Sequence, residues 1–181
     1  MTEIRFVTSN ENKFEEAARI LGPAFELIQA RVPILEIQSM DVRAIVKDKA
    51  MKAYERIGKP VVVEDTSLGI RAWNGFPGPL VAWVIKTMGI EVICRLVGKE
   101  RHATAEACVG FYDGKRLEVF SGKLEGKIAA SPRGRERFDW DRIFIPKGFS
   151  KTFAEMSIEE KNRISHRMKA FNQLKKFLKS L

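Results

Sequence analysis

A polar loop with a lysine joins the first predicted strand to the first predicted helix. Thr8, Ser9 and Asn10 supply side-chain donors, and Lys13 falls in the first turn of the helix. Backbone N–H groups at a helix N-terminus, together with the helix dipole, attract an anion such as a phosphate. A first-turn lysine opposes that dipole, and a bound phosphate would offset the repulsion. The alternative is that Asn10 only caps the helix and Lys13 is solvated.

Carboxylates form the second candidate group. Glu36 lies in an irregular segment, and Glu64 and Asp65 follow the apolar residues 61–63. Two or three such carboxylates can hold Mg²⁺, a hard ion that prefers oxygen ligands and commonly shares the phosphates of a substrate. Acids at strand ends also commonly cap the next helix, so these residues indicate a metal site only in company with Lys13.

Two later runs of residues have the composition of a base-binding pocket. The first combines two rings with two carboxylates: Phe138, Asp139, Trp140 and Asp141. Such rings can sandwich a nucleobase, although core packing with capping acids explains the same residues. The second run groups donors for the edge of a purine: Lys161, Asn162, Ser165, His166 and Arg167. A solvated basic surface is the alternative for this run.

The better-known nucleotide motifs are absent from the sequence. It contains no GxxxxGK[ST] and no GxGxxG, and His102 and His166 are too few for an H-E-x-x-H zinc site. P-loop and Rossmann chemistry are therefore excluded as far as motifs can exclude them.

The elements of the first half would position the loop and the carboxylates. An apolar strand over 3–8 precedes a helix whose apolar spacing runs over 14–21 and ends at Gly22. A second helix is predicted over 42–57, capped by Asp41 and ended by Gly58. The β-branched run 61–63 predicts a central strand that delivers Glu64 and Asp65 at its end.

The second half changes to period-two patterning. Two short helices broken at Gly89 are predicted over 80–97, followed by an alternating strand over 103–112. Asp113 and Gly114 form a hairpin turn, with a return strand to 128. Ser157 and Glu160 form a capping box that starts a helix. The pattern predicts an α/β sheet in two lobes with a cleft between them.

Composition limits the protein class and its partners. The 181 residues, 45% hydrophobic and 30% charged, predict one soluble globular domain over 1–181. No apolar run reaches the roughly 18 residues of a membrane helix, and no secretory signal is visible. Two cysteines with no CxxC are expected as free thiols in a reducing cytoplasm.

The net charge of +9 favours polyanionic partners. Seven Lys and Arg residues, and no acid, lie between Lys161 and Leu181. An apolar stripe of Phe171, Leu174, Leu178 and Leu181 indicates a helix there with a solvated basic face. Charge alone does not choose between a nucleotide and DNA.

Seven short motifs, in order through nearly the whole chain, resemble the Ham1/inosine triphosphatase family. They are T-S-N-x-x-K at 8–13, E-D-T-S-L at 64–68, G-F-P-G at 75–78, F-S-G at 120–122, P-R-G at 132–134, F-A-E-M at 153–156, and K-N with S-H-R within 161–167. Each motif is weak alone, but their order is specific. The resemblance implies a mixed twisted sheet in two lobes around a central substrate cleft, usually in a homodimer.

The same resemblance implies an activity and the residues that carry it. The activity is Mg²⁺-dependent hydrolysis of inosine, deoxyinosine and xanthosine triphosphates to monophosphates and pyrophosphate. Asp65 and Lys13 would be catalytic, with Asp65 taking the proton of the attacking water, and Glu36 and Asp65 would engage the metal. The substrate-binding residues implied are Thr8, Ser9, Asn10, Glu11, Asn12, Lys13, Thr66, Phe138, Asp139, Trp140, Asp141, Lys161, His166 and Arg167.

One motif departs from the family pattern. The family usually reads G-F-G-[YW]-D-P-I-F where this chain has R-F-D-W-D-R-I-F at 137–144. Losing two glycines restricts the backbone, and Asp139 adds a negative charge that could accept from the 2-amino group of guanine. We expect a strong preference for inosine over adenosine triphosphate and a smaller margin over guanosine triphosphate.

Two other interpretations remain open at this level. A nucleic-acid-binding module could use the basic C-terminal helix, which explains the charge but leaves Glu36 and Asp65 without a purpose. A scaffold that resembles the enzyme but has lost its activity is the third. Specific nucleic-acid binding and membrane association are not expected.

Overall fold

A computed structural model describes residues 2–135 and 140–181, and Phe138 and Asp139 therefore lie outside the described residues. The strands are β1 (Thr2–Val7), β2 (Phe25–Ala30), β3 (Val61–Ile70), β4 (Pro77–Gly78), β5 (His102–Tyr112), β6 (Leu117–Ile128) and β7 (Phe144–Pro146). The α-helices are α1 (Glu11–Leu21), α2 (Val42–Ile57), α3 (Val81–Met88), α4 (Ile90–Leu96), α5 (Ile158–Ile164) and α6 (His166–Lys179). Short 3₁₀ turns occupy Gly22–Ala24, Arg71–Trp73 and Phe153–Glu155.

Within the described residues, the seven strands form one mixed sheet. Their order is β2-β1-β3-β5-β6-β7, with β4 paired to β3. β1 runs parallel to β2 and β3, with Arg5 opposite Val61, whereas β4 and β7 are antiparallel to β3 and β6. The predicted mixed α/β sheet is confirmed, and the substrate cleft stays a prediction.

The chain forms two compact units. The first comprises the described residues up to Asp65, together with Ala107–Gly122 and His166–Leu181. α1 packs against α6, and the rings of Phe6 and Phe171 lie edge to face with centroids 5.6 Å apart. Gly122 approaches α6 so closely that a Cβ there would stand 2.1 Å from the carbonyl oxygen of His166. A side chain at this position would push the start of α6 away from β6.

The second unit comprises the described residues of Thr66–Glu106 and Lys123–Ser165. Its core includes Leu68, Ile93 and a cluster of aromatic rings. The Trp140 ring lies 5.7 Å from that of Phe144 and 6.4 Å from that of Phe153, measured between centroids. None of the helices in the described ranges combines the length and apolarity needed to cross a bilayer.

Several local predictions are confirmed. Asp41 caps α2 and accepts from the Arg43 N–H, Gly58 ends that helix in the left-handed region, and α3 and α4 meet at Gly89. The hairpin at Asp113 and the capping box at Ser157 are also present.

Three expectations were wrong or incomplete. β3 does not end at Val63 but continues to Ile70, so Glu64 and Asp65 lie inside the strand. The polar residues after Val63 hid the strand, although their burial alternates as a strand requires. β2 was not predicted. α6 ends at Lys179, which leaves Leu181 exposed beyond the stripe formed by Phe171, Leu174 and Leu178.

Candidate active site

The loop between β1 and α1 has the geometry of a capped helix start. The Asn10 Oδ1 accepts from the backbone N–H of Lys13 at 3.1 Å, and the backbone N–H of Asn10 donates to the Thr8 hydroxyl oxygen at 3.1 Å. Asn10 therefore caps the helix, as the alternative interpretation expected. Ser9, Glu11 and Asn12 are exposed around this cap.

Lys13 is not solvated, contrary to that same alternative. Its side chain is only 14% exposed, and its Nζ lies 3.5 Å from the Oε2 of Glu64. Burial and a position in the first helical turn are both unfavourable for a lysine ammonium, and the acidic partner offsets both effects. The loop and the strand that carries Glu64 and Asp65 are therefore in contact within the first unit.

Glu64 is the most enclosed carboxylate of this group, because its side chain is fully buried. The Arg167 Nε donates to its Oε1 at 2.8 Å, and the Arg167 Nη1 donates to the Glu16 Oε2 at 2.5 Å. Burial lowers the pKa of the Arg167 guanidinium, but Glu64 and Glu16 outweigh that effect and raise its pKa above the ordinary value. The two carboxylates therefore favour the charged form of Arg167.

Glu36 is connected to β3 by a lysine that sequence reasoning missed. The Lys49 Nζ forms an ion pair with the Glu36 carboxylate and also donates to the backbone carbonyl of Glu64 at 3.3 Å. This places Glu36 beside the strand that carries Asp65, which is half-buried. Lys49 lies within α2 and has no distinctive sequence context, so only the fold reveals that it contacts Glu36.

The rim of the loop carries two more residues without a sequence signal. The Gln29 Nε2 donates to the carbonyl oxygen of Thr8 at 3.2 Å, and the Arg31 Nη2 donates to the Glu11 Oε2 at 2.5 Å. Gln29 belongs to β2, and Arg31 directly follows it. Because β2 was not predicted, its side chains could not be assigned to the loop.

The second unit holds the other predicted group around Lys161. The Lys161 Nζ donates to the Asp141 Oδ2 at 2.6 Å, and it lies 5.4 Å from the centroid of the Phe153 ring. Both charged side chains are buried. Trp140 is also buried in the aromatic core, as the packing interpretation expected, and its role toward a base stays a prediction.

The remaining predicted residues are buried as well. His166 begins α6 and is 1% exposed, and Thr66 on β3 is 6% exposed. The predicted roles of both residues in substrate binding stay predictions.

The carboxylates are suited to a metal that needs few protein ligands. No three His, Cys, Asp or Glu side chains converge among the described residues to form a complete cage. Mg²⁺ is commonly bound by one or two carboxylates, with water and phosphates completing its shell. Glu36 and Asp65 carry donors of that kind, and the Lys49 Nζ forms an ion pair with the Glu36 carboxylate.

The protein is a mixed α/β protein whose first strand–helix junction combines a capped helix start with an ion pair between Lys13 and Glu64. Residues 4–177 match the model of the Ham1 family, and the chain belongs to the Ham1 family.

Related proteins agree over nearly the full length. The chain is 41% identical to the dITP/XTP pyrophosphatase of Thermococcus kodakarensis, with 97% of each chain covered. It is 39% identical to the inosine triphosphate pyrophosphatase of Schizosaccharomyces pombe, covering 99% of this chain and 97% of the relative. Among solved structures, a HAM1 protein from Coxiella burnetii matches with a TM-score of 0.88 and 26% identity over all of both chains.

Proposed function

We propose that the protein hydrolyses non-canonical purine nucleoside triphosphates (ITP, dITP and XTP) to the monophosphate and pyrophosphate, which removes them from the nucleotide pool. Its family and the names of its relatives make it a nucleoside triphosphate pyrophosphatase. The observation that carries the assignment to this site is the half-buried Lys13 held at Glu64, the residue next to Asp65.

The first unit supplies the groups that the hydrolysis needs. The N–H groups at the start of α1 and the Lys13 ammonium bind the phosphates and withdraw charge from them. Asp65 accepts a proton from water as the water oxygen attacks the α-phosphorus. The bond from that phosphorus to the oxygen bridging to the β-phosphate breaks, and pyrophosphate leaves with the bonding electrons.

Glu36 and Asp65 are the residues proposed to hold Mg²⁺. The bound ion would neutralise charge on the phosphate oxygens and make a bound water more acidic. Lys49 already holds the Glu36 carboxylate beside β3, so Glu36 needs no large movement to reach that strand. Arg167 fixes Glu64, which in turn orients Lys13.

Base choice is proposed to depend on the 6-oxo group. Donors from His166 and Arg167 would pair with the oxygen of hypoxanthine or xanthine and oppose the amino group of adenine. A site built to hydrogen-bond one group can reject the analogue lacking it by about 10⁴-fold. Asp139 would reduce the margin over guanine by accepting from the 2-amino group.

Product analysis tests the reaction. The protein is incubated with Mg²⁺ and ITP, XTP, ATP or GTP, and a parallel set contains EDTA. We expect pyrophosphate and monophosphate from ITP and XTP, a much slower reaction with ATP, and none with EDTA. Orthophosphate as the first product would contradict the mechanism, and ATP as the best substrate would contradict the 6-oxo proposal. An unchanged GTP margin in Asp139→Gly would remove Asp139 from base choice.

We also propose a homodimer in the cytoplasm. Trp83 on α3 is 63% exposed and Met88 is 45% exposed, which leaves apolar surface that a second copy would cover. Sedimentation velocity is expected to give twice the 20.6 kDa chain mass. A species of one chain mass at micromolar concentration would contradict the dimer.

The alternative interpretation, a nucleic-acid-binding module that uses the C-terminal helix, relied on basic residues of which several do not face solvent. Lys161 and Arg167 are buried in ion pairs, and the Lys175 Nζ donates to the Ile20 carbonyl at 3.0 Å. These three cations hold the fold together instead of facing a polyanion.

A further inference from the structure

Two neighbouring cavities of the second unit lie outside the residues proposed for catalysis. One has a volume of about 420 Å³ and the other about 470 Å³. Lys127 and Ile145 line both cavities, so the two cavities are adjacent at β6 and β7. We call this the β6–β7 groove, and its defining residues are Arg71, Lys127, Arg133, Ile145, Lys147 and Phe149.

The groove carries an excess of positive charge. The side chains of Lys127 and Lys147 form no hydrogen bond or ion pair with another residue in the described ranges, whereas Arg71 interacts electrostatically with Glu100. Glu125 is the one acidic residue among the described residues that line the two cavities. The Thr104 hydroxyl already donates to its carboxylate at 3.0 Å. Cations concentrated in a concave surface raise the local concentration of anions.

Two arginines add to this charge from fixed positions. Arg101 is anchored by backbone carbonyls, including those of Gly98 and Ile128, each at 2.8 Å. Arg133 donates to the Ser150 carbonyl at 2.8 Å. The Arg133 charge is partly offset by Glu155, whose Oε2 lies 3.5 Å from the Arg133 Nη2. Arg101 therefore supplies the fixed positive charge of the wall, while the lysines and Arg71 can reach a ligand.

An aromatic ring is displayed beside these cations. Phe149 is 47% exposed and lines the larger cavity. Its backbone N–H donates to the Pro146 carbonyl at 3.1 Å, which closes a turn, and Gly148 supplies the left-handed residue with φ +86°. The turn therefore presents the ring outward instead of burying it.

We propose that the β6–β7 groove binds single-stranded nucleic acid without sequence preference. Cations along a groove follow a phosphodiester backbone, and an exposed ring stacks on an unpaired base. A duplex keeps its bases stacked and would leave the ring unused, and an acidic peptide would engage only the cations. This binding is independent of nucleotide hydrolysis and uses positive charge that the hydrolysis leaves unassigned.

Fluorescence anisotropy with fluorescein-labelled dT20 tests the proposal on the full chain. For single strands, each phosphate contact adds about 0.7 to the slope with which the logarithm of the affinity falls against the logarithm of the salt concentration. Three or four contacts therefore predict an affinity loss of about 20- to 50-fold between 50 and 200 mM salt. Undetectable binding at 50 mM salt would overturn the proposal.

Paired variants locate the binding surface. Lys127→Glu with Lys147→Glu is expected to weaken dT20 binding at least tenfold. Phe149→Ala is expected to weaken it by about 5- to 160-fold, because loss of one stacked base has that effect, with the salt slope unchanged. The control Lys176→Glu with Lys179→Glu makes the same charge change on α6 and is expected to alter the affinity less than twofold. Thermal unfolding and ITP turnover verify that each variant is folded.

The other outcomes would overturn the proposal. They are equal losses in the groove and α6 variants, no loss in the groove variants, tighter binding of a 20-base-pair duplex, and equal competition by a poly-glutamate peptide. Because ITP turnover is measured separately, failure of dT20 binding and failure of the proposed hydrolysis are distinguishable.

Discussion

Asp65 on β3 is the proposed proton acceptor, so the loss of its charge is expected to lower the rate of hydrolysis. Asp65→Asn keeps the shape of the side chain but removes the proton acceptor, which is typically worth about 10²- to 10⁴-fold in rate. We expect kcat for ITP to fall by at least that factor while the melting temperature stays within a few degrees. More than a tenth of the wild-type rate in Asp65→Asn would remove Asp65 from the proposed role.

Lys13→Ala tests the phosphate contact. The side chain contributes little to the helix, and Glu64 keeps Arg167 as a partner, so we expect KM for ITP to rise about tenfold with little change in the melting temperature. Arg19→Ala is the matched control, because Arg19 is an exposed cation on the same helix. A collapse of the melting temperature with an unchanged KM would contradict the contact with phosphate.

Arg167 is expected to matter first for stability. Removing one member of a buried ion pair leaves the other charge without compensation, which typically costs about 3–5 kcal/mol. Arg167→Met should lower the free energy of unfolding by about that amount in urea titrations. Adding Glu64→Gln should recover part of the loss, because the stranded charge is then gone. Purely additive losses in the double variant would show that the pair is not coupled.

The candidate functional residues were easier to predict than the residues that contact them. The sequence pointed to Lys13, Glu36, Glu64 and Asp65, because each lies in a recognisable local context. The contact between Glu64 and Arg167 joins residues 103 positions apart, and no local pattern encodes it. The ammonium of Lys49 was missed for the same reason.

At the level of elements, the capping box of α5 can be tested by pH. The Ser157 backbone N–H donates to the Glu160 carboxylate at 2.8 Å, and this bond, with the nearby charge of Lys151, holds the pKa of Glu160 below its ordinary value. A lowered folded-state pKa stabilises the protein above the unfolded-state pKa and loses that effect as the pH falls through the folded-state value.

Glu160→Gln removes the charge but keeps an acceptor for the Ser157 N–H. We therefore expect the wild type to exceed Glu160→Gln in unfolding free energy at pH 7, and the difference to shrink toward zero at pH 3. Urea titrations at both pH values measure it. A difference that grows in acid would contradict the lowered pKa of Glu160.

Elements were predicted well where turns and caps delimit them. Asp41, Gly58 and Gly89 set helix ends that the structure reproduces. β3 was cut short because four polar residues follow Val63, and a strand that carries functional groups loses the apolar signature of a buried strand. Only pairing with neighbouring strands reveals its full length.

At the scale of the whole molecule, three strands pass from one unit to the other. Three of the four points at which the chain passes between the units lie between Asp65 and Thr66, between Glu106 and Ala107, and between Gly122 and Lys123. Each of these points lies inside β3, β5 or β6. Unfolding one unit would fray strands that the other unit needs, so we expect a single cooperative transition.

Tryptophan fluorescence can check that expectation, because Trp73, Trp83 and Trp140 all belong to the second unit. Their emission should follow the same urea curve as far-ultraviolet circular dichroism, which reports both units. Fluorescence that changes well before the dichroism would show that the second unit unfolds alone.

The two buried cysteines can report rare openings of the native state in each unit separately, since each unit holds one of them. Burial raises the pKa of the Cys94 thiol, so it reacts slowly until its surroundings open. Pulsed alkylation followed by peptide mass mapping would therefore time the opening around Cys94 and Cys108 separately. Equal labelling rates would indicate that both thiols become reactive only through global unfolding, and a faster rate at one of them would identify the unit that fluctuates first.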